Sequence, residues 1–253
     1  MLTIIQVGDN PASNVYIRNK IKAIEEAGLE VQHLRINEGS STGVVTHYIR
    51  EASRYASAIL VQLPLPPHID KDAVLRAIPE HLDIDGLNPR SDYKPLTPCA
   101  IMRWLREKGV ELEGKKVTIL GRSELVGKPL ANMMIDAGAT VTVCNSHTHP
   151  VSKEFHCTDS DIVVSAVGIP GVVNALCVCH SRKQIFHSGK QIFIDVGINR
   201  DERGKLCGDI SERAKEVIEL AGSEYTPVPG GVGKWTVREL VLRLAEMEGT
   251  RNE

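Results

Sequence analysis

Apolar residues run along this chain in two alternating rhythms. Thr3 to Val7 is a short, almost continuous apolar run, the mark of a buried strand. Residues 13–28 carry Val15, Ile17, Ile21 and Ile24 at helix-like intervals, with Asn10-Pro11 ahead of them and Gly28 behind, which predicts a helix. A strand over 31–36 and a weaker helix over 43–55 follow. A second buried strand over 58–62 is halted by Leu63-Pro64-Leu65-Pro66-Pro67, and a short helix is expected over 70–78.

Beyond Thr97 the pattern changes. A helix through Met102 and Leu105 ends near Gly109. Residues 116–121, 126–137 and 140–144 then form strand, helix and strand, a compact βαβ unit. Strands over 162–166 and 191–196 follow, and a last helix over 236–247. Such alternation calls for parallel sheets covered by helices, an α/β fold. No repeat or low-complexity linker interrupts it, so the domain boundary is expected within the helix around 97–108.

Composition narrows the functional classes. The chain has 253 residues, 42% of them hydrophobic, enough for one large domain or two modest ones with real cores. Its net charge of -2 gives no basic stripe for nucleic acid and no polybasic membrane surface. No apolar run is long enough to span a bilayer. The start, Met1-Leu2-Thr3-Ile4-Ile5, lacks the features of a signal peptide and enters a strand at once. The cysteines, Cys99, Cys144, Cys157, Cys177, Cys179 and Cys207, include no CxxC pair and read as thiols of a reducing cytoplasm.

Candidate chemistry begins in the βαβ unit. Gly121 ends its first strand and Gly127 opens its helix, where tight turning and close backbone approach require glycine. A helix N-terminus placed there attracts an anion. The spacing is GxxxxxG and not the GxGxxG of dinucleotide folds, so an ordinary strand–turn–helix with structural glycines is the alternative. The next strand ends Val143-Cys144-Asn145-Ser146, without the carboxylate that holds the ribose of NAD. Arg122 and Ser123 in the glycine turn suit a 2′-phosphate, which leans toward NADP; a solvated turn arginine is the alternative.

In the first half, Tyr16 and Lys20 stand four apart on a predicted helix and share a face. A tyrosine there could hold a proton-transfer lysine, although a surface lysine beside a packed tyrosine is the common meaning. Gln62 ends a buried strand and must find hydrogen bonds or line a cleft. Asp83-Ile84-Asp85-Gly86 sets two carboxylates at a turn, as a cap or a cation site, and falls far short of a calcium loop. Thr226-Pro227-Val228-Pro229-Gly230-Gly231-Val232-Gly233 makes a stiff entry to a backbone-rich loop.

Taken in order, these segments resemble the bifunctional methylenetetrahydrofolate dehydrogenase/cyclohydrolase family over essentially the whole chain. The resemblance rests on Val7-Gly8-Asp9-Asn10-Pro11-Ala12-Ser13 with Tyr16-xxx-Lys20, Val61-Gln62-Leu63-Pro64-Leu65-Pro66, and Asp83-Ile84-Asp85-Gly86. It continues through Gly121-Arg122-Ser123-xx-Val126-Gly127-x-Pro129, Ile194-Asp195-Val196-Gly197-Ile198-Asn199, Gly208-Asp209-Ile210 and the Thr226–Gly233 segment.

The resemblance implies two domains. One is an N-terminal αβα substrate domain, 1–104 with 229–253; the other is a Rossmann-like NADP domain, 105–228. The last helix returns to the first domain, with folate in a cleft between the two. It implies oxidation of 5,10-methylenetetrahydrofolate with NADP and hydrolysis of the methenyl product to 10-formyltetrahydrofolate, without a metal. Lys20 is implied as the main catalytic group, Tyr16 as the ring stacking near the pterin, Gln62 as the partner orienting the lysine, and Asp85 as the pterin anchor. Val61, Leu63, Pro229, Gly230 and Gly231 are implied as further substrate contacts. Gly121, Arg122, Ser123, Gly127, Ser146 and Ile198 are expected to contact NADP. A cytoplasmic homodimer is implied, with tetrahydrofolate derivatives as ligands and neither nucleic acid nor membrane as partner.

Three departures from the family pattern stand out. The chain begins inside the opening strand, which implies a fragment or an uncovered edge of the first domain. The stretch between Asp85 and Thr97-Pro98 is short, with Pro95-Leu96-Thr97-Pro98 where the family has Pro-Cys-Thr-Pro. Lys234-Trp235-Thr236 replaces Pro-Met-Thr, setting a charge and a large ring beside the folate loop. A non-catalytic or dehydrogenase-only member that binds NADP and folate is the alternative these changes suggest.

Overall fold

In the structure, a computed structural model, residues 1–178, 190–201 and 203–249 are described. Cys179 and the last four residues of the expected substrate domain lie outside them. The chain divides into two compact units, Met1–Leu96 with Thr236–Glu253, and Thr97–Trp235.

The first unit holds a parallel sheet of β1 (Leu2–Val7), β2 (Val31–Ile36) and β3 (Ala58–Val61) in the order β2-β1-β3. β1 is the central strand and all six of its residues are buried. Strand alternation sends its side chains to two cores. Ile5 and Val7 pack with Ile59 and Val61 and with Val45 and Ile49 of α2 (Thr42–Ala52). Val74 and Leu75 of α3 (Lys71–Arg76) join the same core. Leu2 and Ile4 pack with Ala58, Leu60 and Ile17 and Ile24 of α1 (Pro11–Glu26), and with Leu240, Leu244 and Met247 of the final helix. Each of those leucines is fully buried and contributes about 1.5–3 kcal/mol by leaving water. The final helix thereby belongs to the first core, as expected.

Local chemistry fixes α1. The Asn10 side-chain oxygen accepts from the N–H groups of Ala12 and Ser13, and Pro11 occupies the first turn, where no N–H is needed. Gly28 ends the helix at φ +74, a conformation that glycine adopts without Cβ strain.

The second unit carries five parallel strands in the order β10-β7-β6-β4-β5. They are β4 (Lys116–Leu120), β5 (Thr140–Cys144), β6 (Ile162–Ser165), β7 (Ile192–Asp195) and β10 (Glu224–Tyr225). A short antiparallel ribbon, β8 (Asn199–Arg200) with β9 (Leu206–Cys207), lies between β7 and β10 in sequence. The helices are α4 (Leu96–Glu107), α5 (Gly127–Asp136), α6 (Pro150–Thr158) and α7 (Glu212–Leu220). From β4 the chain goes to β5 on one side, then to β6 on the other. This Rossmann-like arrangement has its switch point at the carboxyl ends of β4 and β6, where such sheets bind ligands.

The apolar pattern does not announce α6: Val151 and Phe155 point to solvent and only Cys157 is buried. Helix α8 (Val232–Gly249) begins at Val232, not 236, so Val232 and Gly233 of the presumed loop form its first turn. Among the described cysteines none forms a disulfide. No helix of the described residues is long and apolar enough to cross a membrane.

Candidate functional site

Two constellations emerge, one in each unit. In the first, α1 carries Tyr16 and, one turn later, Lys20. Although its neighbours Arg18 and Asn19 are exposed, Lys20 is only 8% exposed. Its Nζ donates to Gln62 Oε1 at 3.1 Å. Gln62 follows β3, its backbone N–H continuing the ladder to Ile5 O at 2.8 Å. The Gln62 side-chain amide donates to Leu63 O at 2.6 Å, which turns the oxygen toward the lysine.

Asp85 supplies the opposing charge. Burial pushes the Lys20 amine below its ordinary range, and attraction to Asp85 works against that shift. Burial likewise raises the Asp85 carboxyl, opposed by Lys20 and Arg243. Both groups are therefore drawn toward their neutral forms. Asp83, fully buried, accepts from Asn88 N at 2.7 Å through Oδ2, while Oδ1 has no partner among the described residues. Its carboxyl is raised mainly by burial, so Asp83 works as a turn anchor inside the fold. Tyr16 is half-buried, and burial raises its phenol. The Val61 side chain lies in the core beneath, and Leu63 is half-buried beside Gln62.

In the second unit the glycine turn is as tight as expected. A Cβ on Gly121, at φ +109, would meet Ala166 O at 2.6 Å. One on Gly127 would meet Gly121 O at 2.2 Å. Ser123 Oγ accepts from Val126 N and Gly127 N at 3.2 and 3.4 Å, pinning the turn onto the start of α5. Arg122, Ser123, Ser146 and Ile198 are all exposed after the carboxyl ends of β4, β5 and β7. A glycine cradle at a switch point, leading into a helix N-terminus with a guanidinium beside it, fits a dinucleotide diphosphate and a 2′-phosphate.

Two buried aspartates brace this end of the sheet. Asp209 accepts from Ser165 Oγ, the N–H groups of Val167, Gly168 and Ile169, and Asn199 Nδ2. Asp195 accepts from Gly197, Asp209 and Ile210. Thr226 Oγ1 accepts from Asp195 N at 2.8 Å and ties the Pro-Gly-Gly loop to β7. In that loop Pro229 and Gly230 are exposed, and Gly231 is buried, donating to Pro227 O at 2.9 Å. Trp235 does not project freely beside the loop: it stacks on Trp104 at 4.3 Å and packs against the core of its unit.

Comparison with known proteins supplies the family. Residues 1–85 match the model of the tetrahydrofolate dehydrogenase/cyclohydrolase catalytic domain, and residues 95–251 that of its NAD(P)-binding domain. The chain belongs to the tetrahydrofolate dehydrogenase/cyclohydrolase family. It is 39% identical to the bifunctional protein FolD of Paraburkholderia phytofirmans, with 99% of this chain and 88% of that protein aligned. The bifunctional FolD of Campylobacter jejuni superposes with a TM-score of 0.88 at 36% identity, covering 99% of this chain and 88% of that one. The Trypanosoma brucei enzyme, solved with NADP and an inhibitor, gives a TM-score of 0.88 at 32% identity, covering 100% and 87%.

Within this family member, sequence reasoning passed over Arg243. Its guanidinium is buried, donates to Ile84 O and Lys94 O at 2.9 and 2.8 Å, and acts on Asp85. The available signal was Glu239 and Arg243, four apart on the stripe of Leu240, Leu244 and Met247, where buried charges need a specific partner.

Proposed function

We propose that this chain oxidises 5,10-methylenetetrahydrofolate to the methenyl form with NADP and hydrolyses that product to 10-formyltetrahydrofolate. The observation that carries this reading is the buried Lys20 amine, 3.1 Å from Gln62 Oε1 and electrostatically coupled to Asp85. A desolvated lysine with a fixed acceptor is the equipment of a proton-transfer group, not of a structural surface residue.

When bound, NADP supplies the nicotinamide that takes the hydride from the methylene carbon. Gly121 and Gly127 let the backbone approach its diphosphate, while Arg122, Ser123 and Ser146 offer donors to the adenosine phosphate and Ile198 an apolar contact. Asp85 anchors the pterin, Tyr16 stacks against it, and the backbone around Val61 and Leu63 lines the substrate. Near a methenyl cation a charged ammonium would be repelled, so Lys20 works as the neutral amine. Water adds to the cationic carbon and Lys20 takes one of its protons; the hydroxyl proton of the adduct then passes to the leaving ring nitrogen as its bond to that carbon breaks, and the carbon remains as the formyl group on the other nitrogen. Gln62 holds the amine in line throughout. The substrate domain corresponds to the first compact unit, Met1–Leu96 with Thr236–Glu253, and the cofactor domain to the second, Thr97–Trp235. The enzyme works in the cytoplasm as a homodimer, which sedimentation of the purified protein checks.

Purified protein incubated with methylenetetrahydrofolate and NADP, followed by absorbance for NADPH and methenyl product and by chromatography for 10-formyltetrahydrofolate, tests the reading. Formation of NADPH with 10-formyl product is expected. Accumulating methenyl product would reduce the enzyme to a dehydrogenase, and ligand binding without turnover would make it a binding protein.

A further inference from the structure

A buried arginine is costly to desolvate, and an apolar residue among Leu240 and Leu244 would pack the same stripe of α8 without that cost. Arg243 is nevertheless 7% exposed, and its contacts are directed. Nη1 donates to Ile84 O at 2.9 Å and to Lys94 O at 2.8 Å, while the guanidinium lies 5.4 Å from the centre of the Tyr93 ring. Ile84 immediately precedes Asp85, and Lys94 closes the short segment that follows it. The same closure is tied by Leu96 N to Asp85 O at 3.2 Å. It also depends on Gly86, where a Cβ at φ +68 would lie 2.6 Å from Lys94 C and O. Glu239, four residues earlier and also buried, has Oε1 4.0 Å from Nη2.

We propose that Arg243 is a positioning residue: by bridging the carbonyls of Ile84 and Lys94 it closes the 86–95 loop and holds Asp85 in place for the substrate. This rests on the functional reading above, with Asp85 as the pterin anchor. Nη1 carries both bonds, and its two hydrogens are fixed in the guanidinium plane, whereas a lysine ammonium rotates freely on a flexible stem. The position of the fork is set by α8, whose Leu240 and Leu244 are fully buried in the first core.

Arg243→Met and Arg243→Lys test it. For Arg243→Met the folate KM is expected to rise about tenfold, equivalent to about 1.4 kcal/mol. The turnover number should change much less, and NADP affinity, read by titration, should stay within about twofold. Arg243→Lys should recover only part of the loss. Hydrogen exchange should quicken at Gly86 and Leu96 in Arg243→Met and stay unchanged in β3. A folate KM and loop exchange both equal to wild type would overturn the proposal. If Arg243→Met does not fold, wild-type values of both in Arg243→Lys overturn it. Absence of turnover by the wild type would sink the functional reading instead; unchanged exchange would then still refute the clamp.

Discussion

Replacing Lys20 by methionine keeps the length and apolar stem of the side chain and removes the amine alone. In the fold that change is mild. The lost bond from Nζ to Gln62 Oε1 is worth about 1 kcal/mol net, and release of a desolvated amine offsets it. Asp85 keeps the attraction of Arg243. Stability should therefore shift by no more than about 1 kcal/mol. Hydrolysis loses its proton acceptor. Positioned general bases contribute about 10²–10⁴-fold, or about 2.7–5.5 kcal/mol of barrier. The assay is the decay of supplied methenyltetrahydrofolate at saturation, corrected for spontaneous hydrolysis, beside a thermal melt. A folded Lys20→Met protein that hydrolyses the substrate within about threefold of wild type would refute the assigned role, because no positioned base contributes so little.

Three further outcomes follow from the geometry. Arg122→Ala should weaken NADP by about 10–100-fold, the worth of a lost charge-assisted contact, while NAD changes by about twofold or less. Equal losses in parallel titrations would mean that Arg122 does not read the 2′-phosphate. Gly127→Ala drives a Cβ to 2.2 Å from Gly121 O, so the turn must shift; a loss of about 1–3 kcal/mol in stability and at least about tenfold in NADP affinity is expected. Unchanged melting and affinity would contradict the cradle. Hydrolysis should rise with pH: the amine is inactive when protonated, and its lowered pKa brings the plateau below the ordinary lysine value of about 10.4. A rate that falls with pH across that range would remove Lys20 as the base.

Much of this was legible in the sequence because the signals were local. The strand of Thr3 to Val7, the glycine turn at Gly121 and Gly127, and the spacing of Tyr16 and Lys20 each express a short-range rule. The pairing of Lys20 with Gln62 spans forty-two residues and appears only once β1 sets α1 beside the end of β3. Helix α6 stayed hidden because Val151 and Phe155 face outward and leave no buried stripe to detect. Trp235 looked like a ring beside the folate loop; its stacking on Trp104, far away in sequence, took it into a core. Arg243 was invisible for the opposite reason, since an arginine on an apolar stripe reads as a solvated helix face until its two carbonyl partners are seen.

Catalysis by Lys20 requires an amine held away from its usual ionisation beside Gln62. Carbon-13 labelling of the lysine side chains, with the Lys20 Cε resonance assigned by its loss in Lys20→Met, gives that ionisation by direct NMR titration. The Lys20 midpoint is expected clearly below the ordinary lysine value, because burial disfavours the charged amine. A midpoint at the ordinary lysine value of about 10.4 would contradict that reading.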